Sequence, residues 1–130
     1  MKINEVIEEL KKKYPGKPII LNNKTDLTEI LCEIEPTDKH TSFSTAIAVI
    51  DLTLPHYHKN TVEVYEVLKG SLTLTVNNKK YNLNIGESFT IQPNEIHSAR
   101  GDETWVKVVA RPGWRSGDHF TVTGVPTSTQ

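Results

Sequence analysis

The first 16 residues carry apolar side chains at helical spacing. These side chains recur at steps of three and four residues with Glu and Lys between them, and they are Ile3, Val6, Ile7, Leu10 and Tyr14. Such spacing places apolar groups on one face of an α-helix. The sequence Tyr14-Pro15-Gly16 ends the pattern, because proline and glycine both interrupt helices. The pattern predicts one short amphipathic helix within residues 1–16.

Beyond residue 28 the apolar positions recur with a period of two. The segments are rich in β-branched residues, and turn sequences such as Lys69-Gly70 and Asn77-Asn78 separate them. This pattern predicts strands near 28–35, 42–54, 62–69, 71–76, 80–84, 87–92, 95–100, 104–111 and 118–123. Because no helical pattern lies between them, parallel βαβ units are excluded and an antiparallel sandwich or barrel is favoured. The predicted fold class is all-β.

Two of the predicted strands have apolar residues on both faces. In 42–54, Ile47 and Val49 have one parity, whereas Ala48 and Ile50 have the other, and segment 62–68 is similar. One small barrel interior cannot absorb so many apolar groups. We therefore expect a homodimer that covers the outer face. The N-terminal helix could cover part of that face instead.

Composition limits the function classes. The chain has 130 residues, with 15 Lys and Arg against 16 Asp and Glu, so it has the size of one domain over 1–130 and a net charge of −1. Such a chain lacks the positive field that binds phosphate backbones, and no segment approaches the roughly 20 apolar residues that cross a bilayer. We therefore expect no nucleic-acid partner and no membrane partner. Acidic residues within the N-terminal apolar pattern are unlike a secretory signal, so a cytoplasmic location is expected.

The single cysteine restricts the chemistry of any metal site. Cys32 has no partner for an intramolecular disulfide, and one thiolate cannot build a cysteine metal cluster. It lies in an apolar run, which indicates a buried thiol rather than a nucleophile. A metal site must therefore use histidine, carboxylate or amide ligands.

Two histidines and one glutamate follow a predicted strand at short intervals. His56 and His58 are two residues apart, so on an extended chain their imidazoles project to the same side. If residues 62–68 fold back as a hairpin beside the strand ending at residue 58, Glu63 shares that side. Two imidazoles and a carboxylate suit a divalent transition metal. His97, in another short strand after a turn, could complete the set.

These residues resemble the motifs of the cupin family. The run His56-x-His58-x4-Glu63-x6-Gly70 looks like the first cupin motif, and Gly86-x5-Gln92-x-Asn94-x2-His97 is similar to the second. Gln92 replaces a proline, Asn94 replaces a glycine, and Ile50 stands where the first motif often begins with glycine. Asn tolerates left-handed backbone better than other non-glycine residues, so the turn at Asn94 remains feasible. The resemblance covers about residues 42–112.

The resemblance implies a fold and a metal site. The fold is a small double-stranded β-helix, a jelly-roll-like barrel that we place at 28–123, after the N-terminal helix. The implied ligands of one metal in the barrel mouth are His56, His58, Glu63 and His97. Such a set suits Mn, Fe, Ni, Co or Zn. Cupins of this kind are commonly dimers.

Strand parity indicates which neighbours face the site. Tyr65 shares the parity of Glu63 and is predicted to face the cavity, whereas Glu66 is predicted to face outward. Glu63 and Tyr65 are therefore the candidate catalytic residues, because either could move a proton beside the metal. Tyr57 lies between the two histidines and is predicted to project away from the metal, in a packing or dimer role. Parity alone leaves open which face of 104–111 is inward, and so whether Lys107 and Arg111 could anchor an anion.

The segment from Arg111 to Phe120 is aromatic, charged and rich in turn residues. It could form a lid over the barrel, although Trp114 could equally cap the core. His119 has no partner at metal-ligand spacing, and His40 precedes a polar run. Both are predicted to be surface histidines.

Two functions lead at this level, and a purely structural dimer ranks third. The favoured one is a metal-dependent enzyme of the isomerase, decarboxylase or dioxygenase type, acting on a small oxygenated metabolite such as a sugar, hydroxy acid or enediol. The other is a binding or sensing module in which the metal holds such a molecule without turnover. A DNA-binding regulator is disfavoured, because the sequence predicts no pair of DNA-reading helices.

Overall fold

The computed structural model describes residues 1–23 and 25–122. One α-helix, α1 (Ile3–Lys13), precedes the strands. The strands are β1 (Ile19–Leu21), β2 (Glu29–Glu35), β3 (Ser44–Tyr57), β4 (Val62–Lys69), β5 (Leu72–Val76), β6 (Lys79–Leu83), β7 (Ser88–Ile91), β8 (His97–Arg111) and β9 (Phe120–Thr121). A 3-10 turn at Ser116–Asp118 comes before β9. The predicted helix and the predicted all-β class are confirmed.

Strand β8 is the centre of the sheet. All strand pairs are antiparallel, and the path of neighbouring strands is β1-β2-β3-β8-β4-β7. The first part of β8 pairs with β5, whereas its second part pairs with β4, and β3 lies along both parts. Because one long strand serves both groups of partners, the sheet closes around a common interior. The antiparallel barrel is therefore confirmed.

The structure corrects the prediction of separate strands at 95–100 and 104–111. These segments are one strand that bends at Gly101-Asp102-Glu103, where Glu103 has a φ of 48°. A Cβ on Gly101 would lie 2.9 Å from the carbonyl oxygen of Ile50, so the close approach at the bend requires glycine. Turn residues inside a continuous strand produced the wrong prediction.

Other strand bounds differ at the ends. Strand β1 was not predicted, because three apolar residues are too short a run to show a period. The predicted strand 42–54 continues to residue 57 in β3. The predicted strand 118–123 is reduced to a turn followed by Phe120–Thr121, and its last residue lies outside the described part of the chain.

Alternating residues of the strands form two apolar clusters. One fills the barrel and contains Ala48, Ile50, Tyr65, Val67, Leu72, Leu74, Val76, Leu83, Ile91, Ala99 and Val106. The other lies outside the barrel between the sheet and α1, and contains Val6, Leu10, Ile30, Cys32, Ile47, Val49 and Trp105. Helix α1 therefore covers the outer face of β2 and β3. This is the arrangement that the sequence left open as the alternative to a dimer. Among the described residues, no helix has the length and apolar character needed to cross a membrane.

Cys32 has the environment that the sequence indicated. Its side chain is fully buried in the outer cluster, and burial raises the pKa of its thiol. A protonated, buried thiol is a poor nucleophile. Since Cys32 faces α1, the residues of β2 with the opposite parity face the barrel, and they are Glu29, Leu31 and Glu33.

Candidate metal centre

Strands β3 and β8 bring the histidines together. His56 lies opposite His97 in the β3–β8 ladder, and their ring centroids are 4.2 Å apart. His58 follows the end of β3, with its ring centroid 5.4 Å from that of His56 and 5.6 Å from that of His97. All three side chains are buried. The imidazoles predicted from the spacing therefore form one cluster.

Glu63 reaches the cluster by a different route from the one expected. Strand β4 does not pair with β3, because β8 lies between them, and Glu63 is opposite Ala110 of β8 and Ile91 of β7. The hairpin pairing suggested by the sequence is therefore wrong. The inward parity of Glu63 is retained, because the curvature of the barrel turns the inner faces of β3, β8 and β4 toward one another.

The turn before β8 positions His97. Asn94 has a φ of 68°, so the asparagine adopts the left-handed conformation that the family motif usually assigns to glycine. Its backbone N–H donates to the carbonyl oxygen of His58 at 2.6 Å, and the N–H of Gln92 donates to Oε1 of Glu95 at 2.7 Å. These bonds fix the turn against the end of β3. The two cupin-like motifs are thus joined by a direct hydrogen bond.

The four candidate ligands are close enough to share one cation. Each offers one ligand atom, and these atoms of His56, His58, Glu63 and His97 all lie within 4.8 Å of one another. Oε1 of Glu63 is 3.2 Å from Nε2 of His58 and 3.2 Å from Nε2 of His97. The set contains three imidazole nitrogens and one carboxylate, a donor chemistry that suits borderline divalent transition metals.

Backbone carbonyl groups select one tautomer for each imidazole. Nδ1 of His56 contacts the carbonyl oxygen of Leu54 at 2.8 Å, and Nδ1 of His97 contacts that of Glu95 at 3.0 Å. Nδ1 of His58 contacts the carbonyl oxygen of Asp118 at 2.6 Å. A carbonyl oxygen can only accept, so each Nδ1 carries the proton. In the neutral rings, Nε2 is then left with a free lone pair for a metal.

The buried charge and the unpaired polar atoms of the cluster favour a bound cation. Burial lowers the pKa of His56 to about 3, so this imidazole is neutral. Burial raises the pKa of Glu63, but His58 and His97 in their protonated forms outweigh it and leave the pKa lowered, so positive charge at these positions keeps the carboxylate ionised. Nε2 of His58, Nε2 of His97 and Oε1 of Glu63 are buried without a hydrogen-bond partner among the described residues. Buried lone pairs that face one another are costly unless a cation satisfies them, so these residues fit a metal ion.

Asp118 holds the loop that follows His58. Its buried carboxylate accepts hydrogen bonds from the N–H groups of Lys59 at 2.8 Å and Asn60 at 3.1 Å, and from Oγ1 of Thr61 at 3.1 Å. Burial raises the pKa of Asp118, but these hydrogen bonds outweigh it and lower the pKa. The segment from Arg111 to Phe120 therefore packs against the ligand cluster rather than covering it only as a loose lid. The sequence offered no local signal for this contact.

The structure corrects the prediction that His119 is a surface residue. Its ring is stacked on His56 with centroids 4.6 Å apart, and both ring nitrogens are buried without a hydrogen-bond partner among the described residues. Burial lowers the pKa of His119 to about 4, so the ring is neutral. His119 is not one of the four clustered ligands. It forms part of the wall beside them, and only the fold of the 3-10 turn and β9 places it there.

The cluster opens into a cavity of about 470 Å³. Tyr65 lines this cavity with its side chain 5% exposed, and its ring is edge-on to His97 at 6.2 Å. Burial raises the pKa of Tyr65, so the hydroxyl keeps its proton and can donate a hydrogen bond. The prediction that Tyr65 shares the inward face with Glu63 is confirmed, whereas Glu66 has the outward parity and is only half-buried.

Glu29 also lines the cavity, and the sequence pattern did not single it out. Its side chain is 7% exposed, at the start of β2. Burial, and then the charge of Glu63, raises its pKa from 4.5 to about 8. A carboxyl group in an apparently ordinary strand could be found only once the barrel showed which face of β2 is inward.

The other residues considered in the sequence lie outside the ligand cluster. Tyr57 stacks on Phe120 with centroids 5.4 Å apart, in a packing role. Lys107 and Arg111 are exposed, and neither lines the cavity. His40 pairs with Glu35 at 2.9 Å. Trp114 is 40% exposed at the cavity wall, with its ring centroid 6.0 Å from that of His119.

Comparison with known families agrees with the geometry. The sequence-family model for the cupin domain matches residues 48–110, which include all four candidate ligands. Residues 48–110 form a cupin domain. The sequence resemblance is thereby confirmed, and the cupin domain extends over strands β4 to β7 and most of β3 and β8. A comparison with curated proteins found no match.

Solved structures share the cupin barrel at low sequence identity. Pac13, a nucleoside dehydratase from Streptomyces, has a TM-score of 0.72 at 14% identity, over 84% of this chain and 87% of that chain. The polyketide cyclase RemF from Streptomyces resistomycificus has a TM-score of 0.68 at 19% identity, over 86% and 84%. The Fe(II) form of HppE has a TM-score of 0.61 at 12% identity, over 74% and 56%. Identities this low show the fold alone.

Proposed function

We propose that this cupin is a metal-dependent enzyme that acts on a small oxygenated metabolite bound beside the metal. The observation that carries this proposal is the convergence of three imidazoles and the Glu63 carboxylate at the wall of a cavity of about 470 Å³. A cavity of this size accommodates a metabolite rather than a macromolecule. We propose a sugar, hydroxy acid or enediol as the substrate, and isomerase-, decarboxylase- or dioxygenase-type chemistry.

The donor set supports the metal part of the proposal. His56, His58, Glu63 and His97 would hold Mn, Fe, Ni, Co or Zn. A bound divalent ion would supply Lewis acidity and open positions for neighbouring oxygen atoms of the substrate. HppE, which shares the fold, was solved in an Fe(II) form. The backbone carbonyl groups that fix the three tautomers would hold the imidazoles in place before any metal enters.

The cavity supports catalysis by this chain's own groups. Tyr65 is protonated and faces inward beside Glu63, so its hydroxyl would donate a hydrogen bond, or a proton, to an oxygen atom of the substrate. The largely apolar walls would exclude water from that oxygen and strengthen the interaction. Structural relatives include a nucleoside dehydratase and a polyketide cyclase, which are enzymes that act on small molecules.

Metal content tests the first part of the proposal. Untagged protein should hold about one divalent ion per chain by elemental analysis, because a His tag would add ligands of its own. The His58→Ala variant should lose the ion, whereas the His40→Ala variant, which removes a histidine outside the cluster, should keep it. Equal metal content in the two variants would refute the site.

Turnover tests the second part. The metal-loaded protein is incubated with a panel of sugars, hydroxy acids and enediols under air and under nitrogen, and products are followed by mass spectrometry. Product formation that disappears in His58→Ala supports the enzyme. If the protein binds compounds of the panel tightly but forms no product with any of the five metals, the enzymatic function is wrong. The protein would then be a binding or sensing module.

A further inference from the structure

The walls of the cavity carry an uneven distribution of charge. Besides Glu63, the carboxyl residues Glu29, Glu33 and Asp38 line it, whereas no Lys or Arg among the described residues does so. Lys59, which directly follows His58, is exposed, and so are Lys107 and Arg111. The lining also has an aliphatic part, which includes Leu31 and Val108 on the inner faces of β2 and β8.

Glu29 is the buried member of this acidic set. Its side chain is 7% exposed and faces the cavity from the same strand face as Leu31 and Glu33. The influences on its pKa are burial and the charge of Glu63, with no cation or hydrogen bond from the described residues to offset them. A carboxyl group in this setting is a hydrogen-bond donor when protonated and an ion-pair partner when a cation arrives.

The backbone around Glu29 is held firmly. The side-chain oxygen of Asn22 accepts hydrogen bonds from the N–H groups of Thr28 and Glu29, each at 3.1 Å, and its amide nitrogen donates to Oγ1 of Thr28 at 2.9 Å. The N–H of Asn22 donates in turn to the carbonyl oxygen of Glu29 at 3.2 Å. A buried carboxyl on a fixed backbone is a preorganised recognition group rather than a mobile surface charge.

We propose that the cavity selects an uncharged or cationic small molecule with an apolar body, and that the carboxyl group of Glu29 binds the polar end of that molecule. This inference rests on the proposed function, because the same ligand would place its oxygen atoms at the metal centre. An anionic group at this wall would be desolvated and would face the carboxylates of Glu33 and Asp38, with no basic side chain of the described residues to neutralise it. Among the proposed substrates, sugars and enediols therefore rank above hydroxy acids.

Three catechols that differ only in one remote group test this selectivity. They are 4-methylcatechol, which is neutral, dopamine, which carries an ammonium group, and 3,4-dihydroxybenzoate, which carries a carboxylate. Each is titrated by calorimetry, without oxygen, into protein loaded with Zn²⁺, which is redox-inert. We expect dopamine to bind tightest and 3,4-dihydroxybenzoate to bind at least about tenfold more weakly than 4-methylcatechol, since one unpaired charge contributes about 1.4 kcal/mol or more.

A matched pair of variants tests the role of Glu29. Glu29→Gln keeps the shape of the side chain and removes its ability to ionise, so dopamine should lose at least about tenfold in affinity while 4-methylcatechol changes little. Glu66→Gln makes the same change on the outward face of β4 and should alter neither ligand.

The outcomes separate this inference from the proposed function. Equal or tighter binding of 3,4-dihydroxybenzoate, or unchanged dopamine affinity in Glu29→Gln, would overturn the inference even if Zn²⁺ binds. Failure of all three catechols to bind the Zn²⁺-loaded protein would also overturn it. If the protein instead takes up no metal, the proposed function fails, and the charge preference is then read from the same three compounds titrated into the metal-free chain.

Discussion

Nδ1 of His58 donates a hydrogen bond to the backbone carbonyl oxygen of Asp118 at 2.6 Å, across 60 positions of the sequence. The carboxylate of the same Asp118 accepts hydrogen bonds from Lys59, Asn60 and Thr61, the residues that follow His58. One residue therefore sets the tautomer of a candidate metal ligand and holds the loop that carries it. Groups that orient a metal ligand in this way typically change metal affinity when removed.

We expect Asp118→Ala to weaken metal binding by about 10- to 100-fold while the barrel remains folded. The loss of three hydrogen bonds to the loop after β3 would free His58 to leave its position. Calorimetric titration with Zn²⁺ measures the effect, and Asp102→Ala, at an exposed position in the bend of β8, is the control. Unchanged affinity in Asp118→Ala would show that the loop holds His58 without this residue.

The raised pKa of Glu29 predicts a pH-dependent effect on stability. Its pKa is about 8 in the folded chain against an ordinary value of 4.5, so between these pH values the unfolded chain releases a proton that the folded chain retains. The contribution of Glu29 to the free energy of unfolding therefore falls as pH rises from about 4.5 to about 8.

Glu29→Gln removes this contribution. Relative to the unmodified protein, the variant should be more stable at pH 8 than at pH 5, by roughly 3 to 4 kcal/mol. Denaturant unfolding of the metal-free proteins at the two pH values measures the difference. Glu8→Gln, on the exposed side of α1, makes the same chemical change away from the cavity. A Glu29→Gln effect that does not vary with pH would contradict the assignment.

Tyr65→Phe should separate catalysis from binding. The variant removes one inward hydroxyl next to the ligand cluster and leaves the ring in the barrel core. If the protein turns over its substrate, we expect kcat to fall by about 10²- to 10⁴-fold while metal content and substrate affinity stay nearly unchanged. Tyr81→Phe, in a ring pair with Phe89 outside the cavity, should keep its kcat. An equal loss in both variants would point to packing instead.

Metal removal should weaken the fold without unfolding it. The barrel interior is filled by an apolar cluster that does not include the ligands. A metal present at 100 times its Kd would add about 2.7 kcal/mol of stability, which chelation would remove. Chelated protein should keep a β-type circular dichroism spectrum at room temperature and show a lower Tm. A random-coil spectrum would mean that the metal is needed for folding, as in zinc fingers.

The homodimer remains a prediction from the sequence. Helix α1 covers the outer face of β2 and β3, but Ile20 and Leu21 on strand β1 are 41% and 43% exposed. We expect light scattering at micromolar concentration to give twice the chain mass of 14.6 kDa. A value equal to the chain mass would mean that α1 alone covers the apolar residues on the outer face of the strands.

Much of the fold was predictable because it depends on local periodicity. The three- and four-residue steps gave α1, and strand β4 was predicted with its observed bounds, since alternation from Val62 to Lys69 is unbroken. Strand β8 was divided wrongly, because Gly101 and its neighbours have turn chemistry yet continue the strand through a bend. Periodicity reports the conformation of a segment, and it cannot report how many partners one strand serves.

The sequence by itself determined the candidate ligands, which are His56, His58, Glu63 and His97. They are recognisable because motif spacings depend on short-range geometry, which is visible in the sequence. Only the tertiary structure decided what surrounds them. Glu29, Asp118 and His119 come from segments remote from the motifs, and they reach the site through the closure of the barrel and the packing of the 3-10 turn against the end of β3. Local spacing determines which face of a strand a side chain occupies, whereas sheet closure determines which distant faces meet and therefore the charge of the cavity.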